Sequence, residues 1–252
     1  MTVLILAGVS FLAWFLSMLA GGGSPIVLIP VITLLLGSQA VAPVITTGLL
    51  VGNTQRSLFF WRDIDWQVTA WYAPGAIAGA LLGAYAFTHI HLEWLQGFLA
   101  LALLLMVANF WLNRWLSRQL WQVSIQAWHF LPYAFLNAIA SALVGSTGPI
   151  MNPLYLGYGL EKEAMIATKS ANKAFLHLVK LLSYLTLGVL DTSHLGYGLV
   201  IGLAAIPANW LGKQVLARMS NDQFRQAVFT FIAVSGVLML WQQRTWIPAW
   251  GV

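Results

Sequence analysis

Apolar positions run along the chain in blocks of membrane-spanning length separated by short polar stretches. The blocks predict helices near residues 2–20, 38–61, 65–87 and 93–112, then near 123–144, 161–189, 194–217 and 223–242. Two shorter apolar blocks, near 25–36 and 149–158, reach only ~15–18 Å at 1.5 Å per residue, about half a bilayer. Both sets follow one plan. Ser24–Pro30 (SPIVLIP) corresponds to Gly148–Pro153 (GPIMNP), Thr46 to Thr168 and Gly83 to Gly212, while the helix starts at His91 (HLEWLQ) and Ser220 (SNDQFRQ) align. The chain therefore divides into a first repeat over 1–118 and a second over 119–252, within one membrane domain spanning 1–252.

Lysine and arginine in the loops give the two repeats opposite senses, because these residues gather on the cytoplasmic side. Arg62 follows the block ending near 61, whereas the next loop, around His89 and Glu93, has no basic residue. The second half reverses this: the loop at Asp191 and His194 lacks lysine and arginine, and Lys213, Arg218 and Arg225 collect at the other end. Arg114, Arg118 and Lys162 join the inner side, and Arg244 is the single outer exception. The expected fold is an all-α integral membrane protein of two inverted repeats. Each has about four transmembrane helices plus one short or re-entrant helix, with both termini outside. Trp61, Trp66, Trp94, Trp111, Trp115, Trp241 and Trp246 fall near helix ends, where indole rings favour the interface.

Composition agrees. Of 252 residues 60% are hydrophobic and 8% charged, against roughly one quarter charged in a soluble domain. The first block has no basic residue before it and runs into more apolar sequence, so it reads as a retained helix, not a secretion signal. Absence of cysteine excludes disulfides and thiolate metal sites. The pI near 9.7 does not indicate nucleic acid, since the basic residues stand singly at block ends.

One stretch breaks the pattern. Thr168–Lys180 (TKSANKAFLHLVK) carries Lys169, Lys173, His177 and Lys180, which at 100° per residue fall within about 80° of one another on one helix face. Lys173 lies ~16 Å along that helix from Lys162, near the middle of a ~30 Å hydrocarbon core. The bland reading is snorkelling, which suits Lys180, and also Arg56 if it does not guard the inner entrance. For Lys169 and Lys173 an ionisable group at that depth costs several kcal/mol without a partner. All seven acids, Asp63, Asp65, Glu93, Glu161, Glu163, Asp191 and Asp222, fall in loops or at helix ends.

The breaks Gly21–Pro25 (GGGSP) and Gly145–Pro149 (GSTGP) each lead to an expected helix N-terminus, with free N–H groups and partial positive charge. Paired broken helices in inverted repeats form the central sites of transporters, although a single such break is commonly a tight turn that lets helices pack. Cations without counter-charge beside such termini favour a small anion. Its candidate binders are Gly22, Gly23, Ser24, Pro25, Thr46, Thr47, Ser146, Thr147, Gly148, Thr168, Ser170, Lys169, Asn172 and Lys173, with Arg56, His177 and Lys180 as gating or coupling residues. No cofactor is implied, and the expected partners are the anion and the lipid. His89, His91 and Glu93 read as a solvated loop, not a metal site, His129 as an interfacial histidine, and Asn209 beside Pro207 as packing.

These residues resemble the sulfite exporter TauE/SafE family of bacterial membrane proteins. The likeness rests on GGGSPIVLIP after the first helix, on GSTGPIMNPLYLGYGLEKEAMIATKSANK, and on the paired halves, so it covers nearly the whole chain. The second break departs from a GGG pattern, reading Ser146-Thr147-Gly148. The resemblance implies transport of sulfite, sulfonates or sulfoacetate-like anions across the bacterial inner membrane, without a bound cofactor. It places Gly21–Pro25, Gly145–Pro149, Thr168 and Lys169 near the path. Competing readings are an anion channel with the same basic stripe and an intramembrane hydrolase using Ser24 or Ser146 with His129 or His177 as base.

Overall fold

The computed structural model describes residues 1–89 and 124–243 and, between them, helical positions 101, 103–105, 107, 108, 111 and 112. His91, Glu93, Trp94, Arg114, Trp115, Arg118, Arg244 and Trp246 lie outside the described residues. The helices are α1 (Thr2–Leu19), α2 (Ser24–Leu36), α3 (Val41–Phe59) and α4 (Trp66–Phe87), then α5 (Phe130–Val144), α6 (Asn152–Tyr158), α7 (Lys162–Thr186), α8 (Thr192–Arg218) and α9 (Asn221–Gln243). No strand occurs among the described residues. Four segments are long and apolar enough to cross a bilayer: Thr2–Leu19, Ala127–Val144, Thr192–Arg218 and Asn221–Trp241. α7 fails that test through its lysines, yet its 25 residues reach ~37 Å and its basic face is turned inward.

Equivalent helices begin alike. The Asp65 carboxylate caps α4 by accepting the Val68 N–H at 2.9 Å, and the Asp191 carboxylate caps α8 by accepting the His194 N–H at 2.7 Å. Equivalent glycines do the same work too, Gly83 lying against Ile139 and Ala142 of α5, and Gly212 against Phe15 and Met18 of α1.

The contacts also fix the relative directions of six of these helices. Along α3 and α8, Gly48 meets Ile201, Gly202 meets Val51, Gln55 donates to the Ile206 carbonyl at 3.2 Å and Lys213 to the Phe59 carbonyl at 3.1 Å, so the pair is parallel. α1 runs with them, Ser10 donating to the Ile201 carbonyl at 2.8 Å and Met18 packing on Gly212. Along α4 and α5, Gly75 meets Leu131, Gly79 meets Phe135 and Gly83 meets Ile139, again parallel. α7 joins α4, from the Asp65 N–H on the Thr168 hydroxyl at 2.9 Å to Phe87 on Tyr184, ring centroids 5.7 Å apart. The two groups are opposed, since Lys180 near the end of α7 bonds Gly145, which packs on Val41 and Ile45 at the start of α3. Thus α1 and α3 run one way and α4 the other, while α5 and α7 run against α8 in the reverse sense. That is the pattern expected of inverted repeats.

The halves do not pack as separate blocks. α1 and α3 flank α8 of the second half, with α2 packed on α1 and α3, through Leu6, Trp14, Leu28, Ile45, Ile201 and Ala205. α5, α6 and α7 take in α4 of the first half through Tyr72, Ala80, Phe130, Ala138, Tyr155 and Leu176. Each bundle therefore holds one helix from the opposite repeat, and α3 meets α7 between them. Leu4, Leu81, Leu136, Leu203 and Trp241 are exposed on the outside, as suits a chain solvated by lipid.

Candidate functional site

The first break places three consecutive glycines, Gly21 to Gly23, at φ 66°, 115° and 113°, in the region that side chains rarely adopt. Space demands glycine here as well: a Cβ on Gly22 would fall on the Lys169 ammonium, and one on Gly23 would enter the Phe231 ring. α2 then starts at Ser24 with Pro25 in its first turn, which is the expected helix N-terminus. The second break behaves differently. Helix α6 begins at Asn152 and has only seven residues, preceded by a turn in which the Asn152 N–H bonds the Pro149 carbonyl at 2.8 Å. Pro149 therefore does not open a helix as expected; the short block contains a second proline, Pro153, and this is the one that lies in the first turn. One helix N-terminus, not two, faces the centre.

Between the bundles lies a narrow cavity. The first half contributes Trp14, Ser17, the Gly22–Pro25 turn, Asn53 and Arg56, and the second contributes Ser146, Gly148, Lys169, Lys173 and His177. Ten predicted residues thus converge on one space. Thr46, Thr47, Thr147, Thr168, Asn172 and Lys180 do not line it. Thr47 bonds its own helix at the Pro43 carbonyl (3.0 Å), Thr46 is buried with no partner for its hydroxyl, and Thr168 accepts the Asp65 N–H. Ser170 is buried without lining the cavity. Asn172 donates to the Tyr155 hydroxyl at 3.0 Å. Thr147 donates to the Asn137 side-chain oxygen at 2.6 Å and lines a neighbouring apolar cavity with Ile26, Pro30 and Met239.

The three lysines have distinct surroundings. Lys180 does not snorkel: it is fully buried, donating to the Ser141 carbonyl at 2.7 Å and the Gly145 carbonyl at 2.8 Å, so it caps the C-terminal end of α5. Lys169 donates to the Gly21 carbonyl at 2.6 Å and to Asn152 Oδ1. Lys173 has only a 3.4 Å contact with the Thr147 hydroxyl. No carboxylate meets any of them, because the ion pairs among the described residues are Lys162–Glu163, His194–Asp191 and Arg225–Glu161. Both ring nitrogens of His177 are buried without a hydrogen-bond partner.

Arg56 does not snorkel either. It is 3% exposed, and its guanidinium donates to Asn209 Oδ1 at 2.6 Å, the Ser17 hydroxyl at 3.0 Å and the Trp14 carbonyl at 2.7 Å, lying 4.5 Å from the Trp14 ring centroid. Asn209, which the sequence suggests is packing, is thus the partner of a buried cation. Trp14, Ser17, Asn53, Asn137 and Asn152 were equally hidden, since an isolated serine or amide in an apolar block carries no spacing signal. The sequence does show that Asn137 and Asn152 flank the second break. No cluster of metal-binding side chains occurs among the described residues, and His129 stacks on Trp128.

The sulfite exporter TauE/SafE family profile matches residues 6–239, so the chain belongs to that family of membrane transporters. No curated protein and no solved structure matches it.

Proposed function

We propose that this TauE/SafE chain is a secondary transporter of a small anion, a sulfur oxyanion or organosulfonate such as sulfite or sulfoacetate, bound in the cavity between the bundles. One observation carries the reading: Arg56, Lys169 and Lys173 line a single buried space and no carboxylate among the described residues neutralises them. Cations so placed cost several kcal/mol, and an oxyanion that accepts their bonds recovers part of that. The N-terminal turn of α2 adds its dipole from Gly22 to Pro25, and the Ser24 and Ser146 hydroxyls are hydrogen-bond donors here, not nucleophiles. Lys173, with the weakest internal bonding, is the principal ligand cation, and Lys169 serves partly to hold the first break. Thr46, Thr47, Thr147, Thr168, Asn172 and Lys180 support the walls. His177, with no partner in the cavity wall, is the group through which a proton would couple. The chain sits in the bacterial inner membrane with both termini outside.

Reconstituted vesicles test this. Sulfite or sulfoacetate flux should saturate and show counterflow, and Lys173→Met should remove most of it. Flux that rises linearly without saturation would indicate a pore, and equal flux in Lys173→Met would reject the site.

A further inference from the structure

We infer that the anion ties the two helix bundles together: Arg56, aimed by Asn209 on one bundle, faces Lys169 and Lys173 on the other, so the empty cavity opposes like charges and the filled one joins them. This rests on the anion site proposed above. It also departs from the simplest repeat mechanism, because the bodies that move are not the two repeats. They are α1, α2, α3 and α8 on one side and α4 to α7 on the other; one apolar core lies within the first group, and the other, centred on the second, reaches Met18 and Leu216 where the groups meet.

A guanidinium has five N–H donors. Three are spent on Asn209, Ser17 and the Trp14 carbonyl, all within the bundle that carries Arg56. One N–H remains on each terminal nitrogen, the pair suited to two oxygens of one anion. Asn209 cannot turn away, because its Nδ2 donates to the Gly52 carbonyl at 3.2 Å and to Gln55 Oε1 at 2.9 Å, fixing Oδ1 towards Arg56. It is a positioning residue. On the far wall Lys173, Lys169 and His177 stand on α7, and Lys173 is held only by Thr147 of its own bundle. Side-chain bonds from Lys169 to Gly21 and from Asn152 to Ala20 cross to the loop between α1 and α2, which marks that loop as the pivot.

The chain has no cysteine, so pairs of cysteines report the bundle separation without background. Gln39→Cys with Thr186→Cys marks one end, and Arg218→Cys with Gln126→Cys the other; all four positions are exposed. Thioether-linked spin labels are required, since sulfite cleaves disulfides. In the absence of anion, Arg56→Gln should shift the distance distribution by about 2 Å or more, in the direction that sulfite shifts the wild type, and should no longer respond to sulfite. Asn209→Asp, which sets a carboxylate against Arg56, should shift the anion-free distances likewise and raise the sulfite needed for half response about tenfold. A purely structural Asn209 would lower the melting point and leave that midpoint alone. Anion-free distances in Arg56→Gln identical to wild type overturn the inference, even if vesicles still carry sulfite. A shift in Arg56→Gln with no effect of sulfite on wild type supports the repulsion across the cavity and overturns sulfite as the anion that bridges it.

Discussion

Replacing Gly22 by alanine should separate two costs that the first break imposes. Its φ of 115° is a strained position for any side chain, which costs about 1–3 kcal/mol. Its Cβ would also fall on the Lys169 ammonium and drive it from the Gly21 carbonyl and Asn152. A hydrogen bond to a charged group is worth about 1.5–3 kcal/mol, so displacing Lys169 from one of the two brings the total to about 2.5–6 kcal/mol. Gly37 provides the control, because its φ of 90° carries a similar strain but nothing lies within 4 Å of an added Cβ. Thermal unfolding in detergent should therefore rank wild type above Gly37→Ala and Gly37→Ala above Gly22→Ala. Vesicle flux should persist in Gly37→Ala and fall in Gly22→Ala. Equal melting points for the two variants, or full flux in Gly22→Ala, would refute the placement of Lys169 against the glycine turn.

Three further outcomes follow from the same geometry. Lys180→Met should lower the thermal midpoint, because it leaves two buried carbonyls without donors at about 1–3 kcal/mol each, partly offset by the ammonium no longer buried; sulfite affinity in the folded fraction should stay at the wild-type value. Thr168→Val should cost about 1 kcal/mol by freeing the Asp65 N–H and leave transport intact, as measured by denaturation and flux on one preparation. Asp65→Ala and Asp191→Ala should each cost about 1 kcal/mol, and similar losses would reflect the matching caps of the two halves.

Much of this arrangement is legible in the sequence. Most helices appear within a few residues of the predicted blocks because membrane-spanning length is a strong signal, although the block from 123 becomes α-helical only at Phe130 and most of the 93–112 block lies outside the described residues; the basic stripe of α7 faces the interior as its periodicity requires. The second break is less legible: Pro149 and Pro153 both suit a first turn, and only tertiary packing selects the later one. The roles of the lysines are equally hidden, because helical spacing places Lys169, Lys173 and Lys180 on one face but cannot say that Lys180 meets the end of α5. Nor does a repeat reveal that α4 and α8 exchange bundles, which is decided by where their glycines let a neighbour approach.

Binding of an anion to the purified protein bears most directly on the whole account. A ligand present at a hundred times its dissociation constant stabilises the folded state by about 2.7 kcal/mol, so sulfite or sulfoacetate should raise the unfolding temperature in a saturating manner where equal chloride does not. The rise should vanish in Lys173→Met and in Arg56→Gln. A rise that survives both substitutions, or no rise with any sulfur oxyanion or sulfonate, would contradict a cationic cavity built to hold one.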